Sequence, residues 1–277
     1  MKPVPILIAM FIFSLAPARC DAGKRVEEEV VERSVEFSPG GRITIVNVNG
    51  DISVNTWDWP EVRMKAVKRA RAESEEEARL LLEKTTVQFD RNEAGVDIRT
   101  EAPKKPGRNR NVSVAYAVTV PKEIDLELKT VNGTIEVKDI SGAVDAKTTN
   151  GRIGLTGIVG AIQAKTTNGK IGLLEVLGPI NAKTTNGSIE VAVGGSGEQQ
   201  HEFRAATTNG SIEVTLPKGL KANLKASTVN GKINTDFPIT VKGLISKSVD
   251  GVINGGGELI HLKTVNGSIR LKERKSR

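Results

Sequence analysis

The sequence predicts a mainly β chain wound as a parallel β-helix, a solenoid of about 18–23 residues per coil, with an N-terminal α+β excursion that carries one helix. Three observations predict it. The stretches AVDAKTTNGRIGL, AIQAKTTNGKIGL and PINAKTTNGSIEV begin at Ala143, Ala161 and Pro179, so nearly the same words recur at a step of 18 residues. An Asn-Gly or Asp-Gly ahead of x-Ile-x then marks Asn132, Asn150, Asn168, Asn186, Asn209, Asn230, Asp250 and Asn266, at steps of 18, 18, 18, 23, 21, 20 and 16. Repeats of this size are the signature of a solenoid. The flanking columns alternate by two, which is the period of a strand with one face inward.

The columns fix the inside and the outside. Six residues before each mark stand Leu126, Val144, Ile162, Ile180, Phe203, Leu224, Leu244 and Ile260; three after stand Ile135, Ile153, Ile171, Ile189, Ile212, Ile233, Ile253 and Ile269. Each coil cannot bury its own face, so coils must stack, isoleucine on isoleucine, about 4.8 Å apart. Asn-Gly is expected at a corner because both residues tolerate positive φ. Gly142, Gly160 and Gly178 mark a second corner. A two-residue hairpin is the rival reading of Asn-Gly, but identical residues recur once per unit rather than in mirrored order. The TTNG tract is therefore read as structural, its Thr and Asn side chains passing hydrogen bonds from coil to coil. Asn132, Asn186, Asn209 and Asn266 also fit the glycosylation triplet Asn-x-Ser/Thr, a match that falls inside this ladder.

At the N-terminal end, Lys2 and the apolar run PILIAMFIFSLA read as a secretory signal, with small residues for cleavage at Ala16–Ala18 or Ala18–Cys20. The expected organisation is a signal peptide over 1–22, an N-terminal β and α+β part over 23–125 and solenoid repeats over 126–277. Export follows, to a periplasmic, cell-envelope or extracellular location. Cys20 is the only cysteine, so no internal disulfide forms; lipid attachment there is disfavoured by Arg19 in the preceding position. GGRITIVNVNGDISV, from Gly40 to Val54, obeys the coil rule, with Ile43 and Ile45 inward, Asn49-Gly50 at the corner and Ile52 after it. This predicts an early coil with Asn49 in the column of Asn132. The excursion follows. EVRMKAVK is read as a strand, and Ser74 with Glu77 as a capping box ahead of a helix with Ala78, Leu81 and Leu82 on one face. TVQFD and GVDIRT form a pair joined by a turn at Asn92–Gly95, KKPGRNRN is a basic loop over Lys104–Asn111, and VSVAYAVTV is a further strand. This part would cap the solenoid's exposed edge.

These stretches, together with SEEEARLLLEKTTVQF and the TNGSIEV and VNGSIRL units, resemble the bacterial putative-adhesin family, a domain family of unknown function made of exported or envelope-associated β-solenoid proteins. The resemblance covers nearly the whole mature chain. It implies a right-handed coil and an adhesin-like role, and brings no catalytic residues with it.

Chemistry is sparse. His201 and His261 have no metal-ligand spacing with a carboxylate or cysteine. GGSGE departs from G-x-S-x-G at Glu198, GGGEL departs from the calcium β-roll repeat, and no phosphate loop is present. Neither a cofactor nor a metal is expected. A polysaccharide-active β-helix enzyme is the alternative, but the outward positions beside Ile153 and Ile171 are Arg152, Gly154, Lys170 and Gly172, not the paired carboxylates of glycoside hydrolysis. One outward column stands out: Lys129, Lys147, Lys165 and Lys183, and later Lys247 and Lys263, each three residues before a mark. It is read either as a solvated face that resists aggregation or as a basic ridge for an anionic envelope polymer, glycan or membrane surface. The net charge of +7 suits anionic partners. Aromatic residues are only 3%, too few to stack bases, so nucleic acid is not expected. Trp57 and Trp59 mark the other candidate binding point. The reading is a non-enzymatic, adhesin-like binding or scaffold protein.

Overall fold

The computed structural model describes residues 25–37, 40–93, 95–103, 107, 109–195, 202–241 and 247–274. The expected signal peptide, Cys20, His201, Leu244 and Ser246 lie outside the described residues, as do parts of the basic loop. The chain divides into two compact units after Gly133.

The first unit contains β1 (Arg25–Glu36), β2 (Arg42–Val46), β3 (Ile52–Trp57), β4 (Glu61–Ala72), α1 (Glu75–Glu83), β5 (Thr86–Arg91), β6 (Gly95–Glu101), β7 (Asn111–Pro121) and β8 (Asp125–Lys129). One sheet runs β1-β4-β7-β3 and the other β8-β2-β6-β5. The early coil is present. β2 pairs in parallel with β8, setting Ile43 on Leu126 and Ile45 on Leu128, and Asn49 bridges Asn132, whose Nδ2 donates to Asn49 Oδ1 at 2.7 Å. The excursion then adds antiparallel strands. β4 pairs with β7, and β5 with β6 across a turn in which the Gly95 amide donates to Asn92 Oδ1 at 2.9 Å.

Helix α1 begins where the capping box places it: the Glu77 amide donates to Ser74 Oγ at 3.2 Å. Ala78, Leu81 and Leu82 are buried against Ala70, Ala72 and Val112. The helix has no basic residue in its last turn. A buried lysine from β4 takes that role. Lys68 Nζ donates to Leu82 O and Thr85 O, each at 3.0 Å, and meets Glu29 at 2.7 Å. The terminal carbonyls and the acid together compensate a charge that would otherwise be costly to bury. Strand β1, which supplies Glu29, is not legible in the sequence. Its burial pattern shows no two-residue alternation, and five of its twelve residues are Glu.

A polar chain crosses the interior of this unit. Asn47 occupies the place held by Thr in other coils and is buried. Its Nδ2 donates to Val114 O at 2.8 Å, and its Oδ1 accepts from Thr100 Oγ1 at 2.9 Å. Thr100 Oγ1 lies 2.6 Å from the Tyr116 hydroxyl, which therefore donates to it.

The second unit is built largely of coils. Its strands are β9 (Ile135–Lys138), β10 (Val144–Lys147), β11 (Ile153–Thr156), β12 (Ile162–Lys165), β13 (Ile171–Val176), β14 (Ile180–Lys183), β15 (Ile189–Val193), β16 (Phe203–Ala206), β17 (Ile212–Leu216), β18 (Ala222–Ser227), β19 (Ile233–Thr235), β20 (Ile239–Val241), β21 (Ser248–Ile253), β22 (Leu259–Lys263) and β23 (Ile269–Glu273). One sheet runs β9-β11-β13-β15-β17-β23-β19, the other β10-β12-β14-β16-β22-β18-β21-β20. Among the coils pairing is parallel and in register, Ile153 on Ile171, Ile171 on Ile189 and Ile189 on Ile212, whereas β21 pairs antiparallel with β18 and β20. All four isoleucines are essentially inaccessible to solvent, and each contributes roughly 1.5–3 kcal/mol by its burial.

The corners hold for reasons the sequence reading only partly anticipates. The column threonines are buried, and each passes its hydroxyl proton to a glycine carbonyl of the neighbouring coil rather than to another threonine. Thr166 donates to Gly151 O at 3.0 Å, Thr184 to Gly169 O at 3.1 Å and Thr207 to Gly187 O at 2.9 Å. The Asn side chains do stack: Asn168 Nδ2 donates to Asn150 Oδ1 at 2.7 Å, Asn186 to Asn168 at 2.8 Å and Asn209 to Asn186 at 2.8 Å. The expected positive φ is found at Gly50 in the early coil, but the Asn-Gly corners of the second unit do without it. No corner asparagine has it among the described residues. Glycine is required instead by close approach, since a Cβ on Gly169 would lie 1.9 Å from Gly151 O. Positive φ is used at the second corner, at Gly160 and Gly178.

Two departures occur near the C-terminal coils. Asp250 is not a corner: it lies inside β21, opposite Lys225 in an antiparallel pair with β18. A ladder amide must donate on one side and accept on the other, and a carboxylate has no proton to donate. The coils also do not stack in chain order. Asn266 sits between Asn209 and Asn230, bridging both, because β22 and β23 are seated between the coil of β16 and β17 and that of β18 and β19.

Candidate functional site

In a parallel pair every second side chain projects to the same face, and neighbouring chains repeat about 4.8 Å away. Identical coils therefore turn one outward lysine into a line. β10, β12 and β14 place Lys147 opposite Lys165 and Lys165 opposite Lys183. Beyond them the column continues through Ala206 and then Lys263. Lys129 belongs to the first unit, where its register partner is Val46. Lys247 falls outside the column, just ahead of the antiparallel β21.

The three aligned lysines are not equivalent. Lys147 Nζ meets Asp145 Oδ2 at 2.7 Å, and the same oxygen accepts from Gln163 at 3.1 Å. Where β10 carries that acid, β12 carries Gln163 and β14 carries Asn181. Lys165 and Lys183 are exposed and have no ion-pair partner among the described residues. On their other side stand the outward Thr167 and Thr185 and the ladder Asn168 and Asn186. Two uncompensated ammonium groups thus lie side by side, flanked by carboxamides and hydroxyls that can donate to sugar or acid oxygens. The next strand ends this stretch, because Ala206 stands opposite Lys183 and its neighbouring cation, Arg204, is paired with Glu202.

The opposite outward face is more evenly balanced. Lys170 pairs with Glu190, and Glu213 takes Lys272 at 2.6 Å and Arg270 at 3.4 Å. Those cations hold the Glu213 carboxyl below the usual carboxylate range, the Lys272 hydrogen bond first. His261, on β22, faces Arg204 and Lys225 across its two pairings, two cations rather than a ligand set. No group of three or more His, Cys, Asp or Glu side chains able to hold a metal occurs among the described residues. Among the described residues of the first unit Trp59 is the most exposed large apolar side chain, 69% accessible. Trp57 is held beneath Arg63, whose guanidinium carbon lies 4.9 Å from the ring centre. Among the described residues no helix is long and apolar enough to cross a membrane.

Residues 39–272 match the family described as Toastrack DUF4097. None of the curated proteins matches the chain. Solved structures do. A putative adhesin from Bacteroides fragilis NCTC 9343 is 11% identical, with 88% of this chain and 97% of that chain covered and a TM-score of 0.45. A putative cell adhesion protein from Clostridium sporogenes ATCC 15579 is 13% identical over 90% of this chain and 100% of its own, with a TM-score of 0.33. A putative lipid binding protein from Parabacteroides distasonis ATCC 8503 is 13% identical over 89% and 97%, also with a TM-score of 0.33.

Proposed function

The chain belongs to the Toastrack DUF4097 family, and from that premise we propose that it is an exported, envelope-associated binding or scaffold module of adhesin-like, non-enzymatic character. Its outer lysine face would engage a linear polyanion. The observation that carries this reading is the register of Lys147, Lys165 and Lys183, with the last two uncompensated by acid. Ammonium groups at this spacing repel by only about 1 kcal/mol in water, so the fold tolerates the line without a ligand. A polymer laid along it meets several charges at once, and its affinity falls with salt as counterions are exchanged. The flanking carboxamides and hydroxyls suit a glycan backbone better than a bare phosphate surface.

The test replaces Lys129, Lys147, Lys165 and Lys183 with Gln and measures retention on an immobilised acidic polysaccharide at low and moderate salt, beside vesicles containing an anionic phospholipid. Loss of salt-sensitive retention on the polysaccharide, with an unchanged melting curve, supports the reading. Retention equal to that of the parent chain overturns it, and retention of the parent on vesicles alone transfers the site to lipid.

A further inference from the structure

The segment that follows β21 enters the second unit out of order. Residues Pro217–Lys221 connect Leu216 to Ala222 across a gap one coil wider than a sequential stack would need, and β22 and β23 fill that gap. The slot is lined on both sides. β22 pairs with β16 through Ile260 on Phe203 and with β18 through Ile260 on Leu224. β23 pairs with β17 through Ile269 on Ile212 and with β19 through Ile269 on Ile233. At the corner Asn266 Nδ2 donates to Asn209 Oδ1, and Asn230 Nδ2 to Asn266 Oδ1, both at 2.7 Å.

The hydrophobic pattern selects this order only in part. Up to the corner and just past it the inward positions of the coil of β18 and β19 match their counterparts in the coil of β16 and β17: Leu224 and Phe203, Ala226 and Ala205, Thr228 and Thr207, Ile233 and Ile212. Further on, direct closure would set the buried Val214 on the exposed Thr235, where the inserted coil gives it Leu271. The outward charges act in the same direction. Direct closure would set Lys225 against Arg204 and Asn234 against Glu213, whereas the inserted coil gives Glu213 both Arg270 and Lys272. It also sends Arg274 to Glu175 and to Val193 O. The insert arrives through a turn, Asn254–Gly257, in which Asn254, Gly255 and Gly256 all have positive φ and which is held by Asn254 Nδ2 donating to Leu220 O at 2.9 Å and Asn223 Nδ2 to Gly257 O at 2.5 Å. A Cβ at Gly255 would meet nothing within 4 Å.

We propose that this slot is an acceptor site for a coil of the sequence 259–273, filled here by the chain's own copy and open to the same segment of a second chain, so that two molecules link by exchanging it. The recognition elements are all intermolecularly reproducible: the two parallel ladders, the Asn266 amide that donates on one side and accepts on the other, and the Glu213 clasp. Exchange of a segment recreates native contacts in the new partner, so it costs few contacts beyond the opening of the Asn254–Gly257 turn and is favoured by concentration. This inference stands on strand order and is independent of the lysine face.

Ser211 and Ser268 report on it. The Ser268 amide donates to Ser211 Oγ at 3.3 Å, and adjacent in-register residues about 4.8 Å apart fall within the Cα range a disulfide spans. In a Cys20→Ser background, Ser211→Cys and Ser268→Cys chains are mixed, unfolded, refolded together at high concentration and oxidised. The expected result is a non-reduced band at twice the chain mass holding one chain of each kind, growing with protein concentration and absent from either variant alone. The double variant, Ser211→Cys with Ser268→Cys, verifies the geometry by closing within one chain. A mixture that stays monomeric while the double variant closes internally overturns the proposal. So does dimer formation by either single variant to the same extent as the mixture.

Discussion

Replacing Asn168 probes the reasoning that removes Asp250 from the corner ladder. Asn168 donates through Nδ2 to Asn150 Oδ1 at 2.7 Å and accepts through Oδ1 from Asn186 Nδ2 at 2.8 Å. Asn168→Ala deletes both bonds. Each is worth about 0.5–1.5 kcal/mol net, and water reaches the exposed partners, so the expected loss is about 1–2 kcal/mol. Asn168→Asp at neutral pH keeps the acceptor bond from Asn186 but sets a carboxylate oxygen against the Asn150 carbonyl oxygen. A lost donor and an acceptor–acceptor contact cost about 1–2 kcal/mol as well, partly offset by the charge-assisted bond to Asn186. The two variants separate on acidification. Protonated, the introduced carboxyl regains an O–H to give to Asn150, so the neutral form is favoured in the fold and its pKa is raised. A raised folded pKa means that this stability is present below the unfolded value of about 3.9 and is lost as pH rises through the folded one. Urea unfolding of both variants at about pH 3.5 and pH 7, followed by circular dichroism, gives the difference between them. Background acid destabilisation is common to both and cancels. Asn168→Asp should gain on Asn168→Ala at the lower pH. A difference that does not change with pH, or an Asn168→Ala variant as stable as the parent, would refute the ladder argument.

Two further outcomes follow from burial. Ile171→Asp should abolish cooperative melting or lower stability by more than about 4 kcal/mol, because Ile171 is wholly buried between Ile153 and Ile189. Lys170→Gln should cost at most about 1 kcal/mol, since its pair with Glu190 is solvent-exposed; equal losses in thermal melts would mean that inside and outside are misassigned. Tyr116 is the only tyrosine, and burial pushes its hydroxyl up from 10.0 to about 12. Its contribution is therefore complete below about pH 10 and lost as pH rises through about 12. Tyrosinate absorbance should rise only in that upper range or with unfolding, and a midpoint near 10 in folded protein would contradict the burial of this network.

By itself the sequence determined the coil. Period two on either side of each Asn-Gly assigns Ile153, Ile171, Ile189 and Ile212 inward and Lys147, Lys165 and Lys183 outward, because a side chain's face in a strand depends only on parity and the hydrophobic effect selects the parity. It also determined the early coil at Ile43–Ile52 and the cap of α1, since both are local patterns. Neighbour identity was beyond it. The tract T-x-N-G-x-I is common to the coils of Asn209, Asn230 and Asn266, so over this tract each presents the same pattern to whatever lies above. Three-dimensional stacking brings Glu213 to Arg270 and Lys272, and Leu271 onto Val214, with the coil of Asn266 seated between the other two. Asp250 shows the same limit from the other side. Its Asp-Gly-x-Ile fits the pattern in sequence, but a carboxylate cannot extend an amide ladder, and its segment finds an antiparallel partner instead. Strand β1 had no period to read, because its place is fixed by pairing with β4 and by Glu29 reaching Lys68. The lysine column was visible as residues, whereas its unequal compensation depended on where the Asp145 side chain turns, to Lys147 two residues along its own strand and to Gln163 of the next.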